Sequence, residues 1–175
     1  MIDQNFRSKL EDGLGGVVIM AGSDSDKPHI EKIVKSIEEY GIPYEVRICS
    51  AHKQPVTLLE MIREYNGLEG PLAIIAVAGG TDALSGTASY HSVHPVISCP
   101  PDAPNESCLT NPPGSSNAYI ANPKNVGRFV AQIFSYLGGG YRDELISLSD
   151  EKIESLKKAD SEMRELFALR QKGGN

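Results

Sequence analysis

The sequence predicts an α/β fold built on a mostly parallel β-sheet. Short apolar segments alternate along the chain with longer segments whose apolar residues recur at helical spacing, and this alternation is typical of βαβ units. The chain has 175 residues, of which 40% are hydrophobic. That size suits one domain that can bury its core without a disulfide or a metal.

Five segments are predicted as strands. Residues 17–20 and Leu72–Val77 are continuous apolar runs, which favours strands buried in the middle of a sheet. Tyr44–Ile48 alternates apolar with charged residues, as a strand does. Two short strands, at residues 95–98 and 119–121, complete the predicted sheet.

The first predicted helix follows the first strand. Its apolar residues follow the i, i+3, i+4, i+7 pattern of an amphipathic helix; they are Ile30, Ile33, Val34 and Ile37. Ser25 or Asp26 is predicted to cap this helix, Pro28 suits its first turn, and Gly41 ends it.

Two further helices are predicted later in the chain. One follows Pro55 and stops at Gly67, with Leu58, Leu59, Ile62 and Tyr65 as its apolar positions. The other is predicted to begin at an Asn122 cap and to end at the glycines of residues 138–140. Its apolar positions are Val126, Phe129, Val130, Ile133 and Leu137.

Two segments are predicted as loops, at residues 78–86 and 100–117. Residues 78–93 are mostly small and polar, and residues 100–117 contain five prolines and three asparagines. Neither segment carries a helical or strand periodicity.

The last 35 residues differ from the rest. Residues 141–175 mix acidic and basic side chains with apolar ones at helical spacing, which predicts an amphipathic helix. We therefore expect an α/β domain at residues 1–140 and a helical extension at 141–175. The apolar stripe of that extension is predicted to pack either on its own domain or on a neighbouring subunit.

Charge and composition exclude several classes of function. The 17 Lys and Arg residues against 23 Asp and Glu residues give a net charge of −6, which argues against binding a nucleic-acid backbone. No apolar run approaches the roughly 20 residues of a membrane helix, and the polar N-terminus does not resemble a signal peptide. We expect a cytoplasmic protein that binds neither nucleic acid nor membrane.

The cysteines and histidines do not predict a metal site. Three cysteines are an odd number without CxxC spacing, so neither a disulfide framework nor a zinc site is expected. His91, His94 and Cys99 are near one another in sequence, but no further ligand at metal-site spacing accompanies them. Cys99 is predicted to be a buried small residue at a strand end rather than a nucleophile.

Polar residues that can bind a ligand or transfer a proton follow three predicted strands. Ligands of parallel sheets bind at the carboxyl ends of the strands, where the loops at residues 21–27, 49–54 and 78–86 begin. In the first loop, Ser23 and Ser25 suit a phosphate at a helix N-terminus, and the Asp26 carboxylate suits ribose hydroxyls. The same residue types are also the usual helix caps, so a purely structural loop is the competing interpretation.

The second loop adds a proton-transfer group and a cation. His52 can move a proton in either direction near neutral pH, and Lys53 beside it can hold a phosphate. The small residues of the third loop, at 78–86, allow a ligand to approach the backbone closely. Together the loops predict a phosphosugar site with an acid/base group.

At these three loops the sequence resembles the aminoimidazole ribonucleotide (AIR) carboxylase family of purine biosynthesis. The matching segments are Gly-Ser-Asp-Ser-Asp at 22–26, Ser-Ala-His-Lys at 50–53 and Ala-Gly-Gly at 78–80. They occur in order and at matching spacing, within a resemblance that runs from about Val17 to Phe134. The resemblance implies a flavodoxin-like three-layer α/β/α sandwich, a homo-octamer, and no cofactor.

Details of the loops resemble class II of the family. Class II carboxylates C4 of AIR directly with CO2, without ATP or biotin, whereas class I is an N5-carboxyaminoimidazole ribonucleotide mutase. Class II has Lys after the loop His, as Lys53 does here, and lacks the second His of class I, whose position is Ala83. Gly80-Thr81-Asp82 stands where class II usually has Arg-Ser-Asn.

The resemblance also implies a role for each matching residue. His52 would be the general acid/base, Ser23, Ser25 and Lys53 would hold the 5′-phosphate, and Asp26 would bind the ribose. Ser50, Gly79 and Gly80 would line the aminoimidazole, with Asp82 beside the substrate.

Three alternatives stay open at this point. The first is the class I mutase reaction. The second is a phosphoribosyl-binding protein without catalysis, since Gly80 and Asp82 depart from the family pattern. The third is a flavodoxin-like FMN protein, although the candidate loops offer no Trp to stack on a flavin.

Overall fold

The computed structural model describes residues 2–172, and of Lys172 only the backbone. It contains a five-stranded parallel sheet whose strands lie in the order β2-β1-β3-β4-β5. The strands are β1 (Gly16–Ala21), β2 (Tyr44–Ile48), β3 (Leu72–Val77), β4 (Val96–Ser98) and β5 (Ala118–Tyr119). This strand order is that of the flavodoxin-like folds, so the predicted fold class is confirmed.

Helices cover both faces of the sheet. They are α1 (Gln4–Glu11), α2 (Lys27–Glu38), α3 (Pro55–Asn66), α4 (Ala83–His91), α5 (Val126–Ile133) and α6 (Tyr141–Lys172). Within residues 2–172, none of them combines the length and the apolar character that crossing a bilayer requires.

The alternation of side chains along β1 explains the three layers. Val17 and Ile19 point into a core with α2 and α5, while Val18 and Met20 point into a second core with α1, α3 and α4. All six residues of β1 and of β3 are buried because these strands lie inside the sheet with helices on both faces. β2 is at the edge, and its Tyr44, Val46 and Ile48 side chains remain exposed.

A close contact between α2 and α5 explains one glycine. A Cβ at Gly127 would lie 1.7 Å from the Ser36 carbonyl oxygen, so only glycine permits this approach. The buried Ser36 hydroxyl accepts a hydrogen bond from the Gly127 N–H at 3.0 Å and lies 3.0 Å from the Pro123 carbonyl oxygen. The contact fixes α5 on the sheet next to the helix that follows the first loop.

Two helices were not predicted from the sequence. α4 occupies residues 83–91 and so overlaps the loop predicted at 78–86, and α1 lies in the N-terminal segment that was described only as polar. Each has an aspartate cap: Asp82 accepts a hydrogen bond from the Ser85 N–H, and Asp3 from the Phe6 N–H. Because α4 is built of small, weak helix formers such as Gly86, Ser85 and Thr87, its periodicity carried no helical signal.

Smaller differences concern the ends of elements. Asn122 caps a 3₁₀ turn (Pro123–Asn125) that precedes α5, rather than α5 itself. α5 ends at Ile133, four residues before the predicted Leu137, and the Ile133 side chain is 39% exposed. β5 is two residues long and begins one residue earlier than expected.

The predicted C-terminal helix is present as α6. Its first two turns pack on the core through Tyr141, Leu145 and Leu148, and the Tyr141 hydroxyl donates a hydrogen bond to the Leu14 carbonyl oxygen at 2.7 Å. From residue 151 to 171 every side chain is exposed, so the domain of the same chain does not cover the apolar stripe. The domain boundary at residue 140 remains a prediction.

Candidate active site

A pocket of about 330 Å³ lies at the carboxyl ends of β1, β2 and β3. Its walls come from the loops that follow these strands and from the start of α4. The lining residues are Gly22, Ser23, Ser25, Asp26, Ser50, Ala51, His52, Lys53, Ala78, Gly79, Thr81, Ala83 and Leu84. Seven of the nine residues predicted for the site are among them; Gly80 and Asp82 are not.

The first loop places two hydroxyls together at the start of α2. Ser23 Oγ accepts a hydrogen bond from the Ser25 N–H at 3.2 Å and lies 2.8 Å from Ser25 Oγ. This pairing forms because residues 24–26 make a single 3₁₀ turn before the α-helix begins. Two adjacent hydroxyls near a helix N-terminus are donors suited to a phosphate.

Asp26 does not act as the cap that the sequence suggested. It occupies the N-cap position of α2, but its side chain makes no capping hydrogen bond. Its carboxylate therefore remains available to a ligand. Burial raises the pKa of the Asp26 carboxyl above its ordinary value; the nearby His29 opposes that shift, and the charges of Asp102 and Asp24 add to it.

The second loop exposes its reactive side chains to solvent. Ser50 Oγ accepts a hydrogen bond from the Lys53 N–H at 3.3 Å, and the Ser50 N–H donates to Gln54 Oε1 at 3.4 Å. The loop backbone is thus tied down at its ends, while His52 and Lys53 are exposed. Within residues 2–172, no group hydrogen-bonds the His52 ring or the Lys53 amine. Both side chains can therefore reorient toward a bound molecule.

The third loop is held by hydrogen bonds to another loop. Gly79 lines the pocket, whereas both backbone groups of Gly80 are engaged elsewhere. The Gly80 N–H donates to Asp102 Oδ2 at 2.7 Å, and its carbonyl accepts from Asn105 Nδ2 at 2.9 Å. Gly80 has φ +65°, a left-handed conformation that favours glycine.

Asp82 does not line the pocket either, although its neighbours Thr81 and Ala83 do. Its side chain is 5% exposed and caps α4, where Oδ1 accepts a hydrogen bond from the Ser85 N–H at 2.9 Å. Its other carboxylate oxygen is buried without a hydrogen-bond partner among the described residues. The structure thus gives Asp82 a capping role, whereas the family resemblance implied a place beside the substrate.

The loop that holds Gly80 was not predicted as part of the site. Asp102, Asn105 and Ser107 lie in the proline-rich segment, which we had predicted only as a loop. No periodicity or motif in residues 100–117 identifies which polar side chains face the pocket loops. Only the packing of that segment against residues 79–82 shows it.

His94 and Cys99, which the sequence places near each other, contact different groups in the structure. His94 Nε2 lies 3.2 Å from the Tyr65 carbonyl oxygen, whereas Cys99 Sγ lies 3.5 Å from His29 Nε2. Cys99 is fully buried, as predicted, and burial raises the pKa of its thiol to about 12. A thiol in this state is a weak nucleophile.

The arrangement has the chemistry of a site for a phosphorylated ligand. The pocket is lined by two hydroxyl donors, a lysine, a carboxylate and an exposed imidazole. An imidazole can give or take a proton from a ligand held by the other groups.

Comparisons with known proteins bear on this site. The AIR carboxylase family model matches residues 16–155. A phosphoribosylaminoimidazole carboxylase of Treponema denticola is 34% identical over 154 residues, which are 85% of this chain and 97% of that protein. The crystal structure of Treponema denticola PurE aligns with a TM-score of 0.79 at 34% identity, covering 85% of this chain and 98% of that one.

Two other relatives differ in length or in activity. The human bifunctional phosphoribosylaminoimidazole carboxylase/phosphoribosylaminoimidazole succinocarboxamide synthetase is 37% identical over 85% of this chain, which spans 36% of that protein. An N5-carboxyaminoimidazole ribonucleotide mutase of Pyrococcus horikoshii is 40% identical over 94 residues, which are 53% of this chain and 50% of that protein.

Proposed function

This chain belongs to the AIR carboxylase family, and we propose that it carboxylates AIR at C4 with CO2. The product is 4-carboxy-5-aminoimidazole ribonucleotide, an intermediate of de novo purine biosynthesis, and the reaction is reversible. The observation that carries the proposal is the convergence of Ser23, Ser25, Asp26, His52 and Lys53 on one pocket.

The first two loops supply the groups that bind the phosphoribosyl part. Ser23 and Ser25 donate hydrogen bonds to the 5′-phosphate, and Lys53 adds a positive charge. The Asp26 carboxylate accepts hydrogen bonds from the ribose hydroxyls, which its freedom from capping allows. Ser50 and Gly79 line the aminoimidazole.

His52 is the general acid/base. The ring of AIR is enamine-like, so C4 can form a bond to the carbon of CO2 while one C=O electron pair moves onto oxygen. C4 is then tetrahedral and still carries its hydrogen. His52 removes that proton, and the electron pair of the C–H bond restores the ring; in reverse, His52 protonates C4 before CO2 leaves. Such catalysis is worth about 10²–10⁴-fold.

The chemistry requires no cofactor from the protein. The nucleophile is the substrate ring itself, and the electrophile is CO2 rather than a carboxyl group carried by biotin. Holding CO2 next to C4 in the pocket adds an entropic advantage, because two reactants are replaced by one complex.

The mutase reaction is the second candidate, and the Pyrococcus horikoshii relative favours it. Lys53 and Ala83 argue for the carboxylase instead, since they match the class II pattern rather than that of class I. The two reactions share their product and differ in the source of the carboxyl group.

The deciding experiment compares two substrates with the purified protein. One reaction contains AIR and bicarbonate-derived CO2 without ATP, and the other contains N5-carboxyaminoimidazole ribonucleotide under CO2 depletion. We expect rapid product in the first only. Rapid product in the second with slow turnover in the first would assign the mutase reaction. Substrate binding without turnover in either would assign a non-catalytic phosphoribosyl-binding protein.

The quaternary structure expected from the family resemblance is a homo-octamer, and α6 supports assembly. The apolar side chains on its outer part, from 45% to 69% exposed, are Ile153, Leu156, Met163, Leu166, Phe167 and Leu169. An apolar face of this extent is a feature of interaction surfaces. Multi-angle light scattering should give the mass of eight chains, and a monomer would contradict the proposal.

A cytoplasmic location is also part of the proposal. The three cysteines are free and buried, which suits a reducing compartment. The substrates are a ribonucleotide and CO2, and the net charge of −6 disfavours binding to nucleic acid. Fractionation of cells that express the chain from its own gene tests the location.

A further inference from the structure

Residues 102–107 form hydrogen bonds with the third pocket loop. We name them the clamp segment. Three of its side chains contact the loop directly. Asp102 Oδ2 accepts from the Gly80 N–H at 2.7 Å, while Asn105 Nδ2 and Ser107 Oγ donate to the Gly80 carbonyl at 2.9 and 3.1 Å. Ser107 Oγ also accepts from the Asp82 N–H at 2.8 Å.

The three side chains that contact the loop also hydrogen-bond to one another. Asn105 Nδ2 donates to Asp102 Oδ1 at 3.0 Å, and Ser107 Oγ lies 2.6 Å from Asn105 Oδ1. Asn105 is only 6% exposed although the adjacent Pro104 and Glu106 are exposed. A buried amide with partners on both of its ends has one favoured position.

The loop has no comparable anchor of its own. Gly80 has no side chain, and the Asp82 side chain is used for the α4 cap. The backbone at Gly80 is thus positioned from outside, and Gly79, which lines the pocket, is its immediate neighbour.

We propose that Asp102, Asn105 and Ser107 are positioning residues that hold Gly79 in the orientation in which it meets the aminoimidazole ring. The proposal rests on the function proposed above. Displacing Gly79 would misorient the ring and its C4 atom, because small errors in position reduce the rate of a bound reaction strongly. The phosphate and ribose contacts come from other loops and would persist.

Asp102 also places a negative charge near Asp26. The hydrogen bond from the Gly80 N–H is the main cause of the lowered pKa of Asp102, so its carboxyl stays ionised near neutral pH. The groups that act on Asp26 are His29 on α2, Asp24 in the first loop and Asp102 from the clamp segment. Of these, only Asp102 belongs to the clamp segment, so the pKa of Asp26 depends on the position of that segment.

The first test is the kinetics of Ser107→Ala. We expect kcat to fall about tenfold or more while KM changes less than about threefold, since ring orientation is lost but phosphate binding remains. Ser92→Ala is the matched control. Ser92 Oγ likewise accepts a backbone N–H, that of His94 at 3.0 Å, but at the other end of α4.

Two outcomes would overturn the proposal. One is a kcat within twofold of wild type for Ser107→Ala, and the other is an equal loss of kcat for Ser92→Ala.

The second test uses pH. Asp102→Asn keeps an oxygen that can accept the Gly80 N–H but removes the charge that raises the pKa of Asp26. NMR titration of the Asp26 carboxyl carbon should therefore give a lower pKa in Asp102→Asn than in the wild type. An unchanged or higher pKa of Asp26 would contradict the placement of Asp102 next to the site.

A third measurement separates this proposal from the proposed function. Amide hydrogen exchange of a peptide spanning residues 79–82 needs no substrate, and Ser107→Ala should accelerate it whereas Ser92→Ala should not. Unchanged exchange contradicts the clamp even if the enzyme is active. Accelerated exchange in a protein without carboxylase activity supports the clamp and removes the proposed function instead.

Discussion

The two sides of the pocket are built differently. On the side formed by residues 22–26 and 50–53, the side chains of Asp26, His52 and Lys53 make no hydrogen bond with any described residue. On the side formed by the third loop, Gly79 lines the pocket, and the clamp segment engages the neighbouring Gly80 backbone and the Asp82 N–H. The comparison separates two tasks: the open side supplies groups that move protons and bind charge, and the clamped side supplies a fixed wall.

The largest expected effect comes from the open side. His52→Asn should lower kcat by about 10²–10⁴-fold while ligand binding persists, because the amide cannot transfer the C4 proton. Steady-state kinetics with AIR and CO2, together with calorimetric ligand binding, measure the two quantities.

The matched control for that change is His91→Asn. His91 is exposed at the end of α4, and its ring packs edge-on against Tyr90, outside the pocket lining. A near-normal kcat for His52→Asn would show that the acid/base group lies elsewhere in the pocket.

Lys53→Ala should act on binding rather than on turnover. Losing one exposed cation beside a phosphate should raise KM about tenfold, since a hydrogen bond to a charged group is worth about 1.5–3 kcal/mol and solvent screens part of it. Initial rates over a range of AIR concentrations check this. A fall in kcat at constant KM would place Lys53 in the chemical step instead, and Lys9→Ala on α1 controls for loss of any surface charge.

On the clamped side, Gly80→Ala should cost stability. Gly80 has φ +65°, and a left-handed conformation costs a non-glycine residue about 1–2 kcal/mol. No atom would meet the new Cβ within 4 Å, so strain is the whole effect. Gly41→Ala is the matched control, with φ +62° and equally open space. Urea unfolding should give similar losses; a much smaller loss at Gly80 would mean that its loop relaxes and is not held.

The smallest expected effect concerns Asp26. Its pKa is raised chiefly by burial, so the folded state binds this proton more tightly than the unfolded state does. Ionised Asp26 therefore destabilises the fold slightly at neutral pH, and stability is regained as pH falls through the raised pKa. Asp26→Asn should give a small rise in Tm at pH 7 that disappears in acid. A lower Tm at pH 7 would show that the carboxylate stabilises its loop.

Much of the fold was predictable because the sequence pattern there is strong. Residues 17–20 and 72–77 are apolar without interruption, and the helix carrying Ile30, Ile33 and Ile37 repeats at 3.6 residues. Those patterns reflect burial on one or two faces, which local spacing records directly. α4 was not predicted because its small residues pack closely against β3 and β4 without forming an apolar stripe. The sequence did contain a capping residue for this helix, Asp82.

By itself, the sequence determined the five strands and the helices α2, α3, α5 and α6 in their order along the chain, the three loops at the carboxyl ends of the strands, and the residues on the open side of the pocket. These features follow from local spacing and from the rule that parallel strands end at one edge of a sheet. Only the tertiary structure decided that the Asp26 side chain does not cap its helix, whereas the Asp82 side chain caps α4. The tertiary structure also decided that Asp102, Asn105 and Ser107 hold Gly80. Each depends on hydrogen bonds whose partners are chosen by packing, and for Gly80 those partners lie 22 to 27 residues away along the chain.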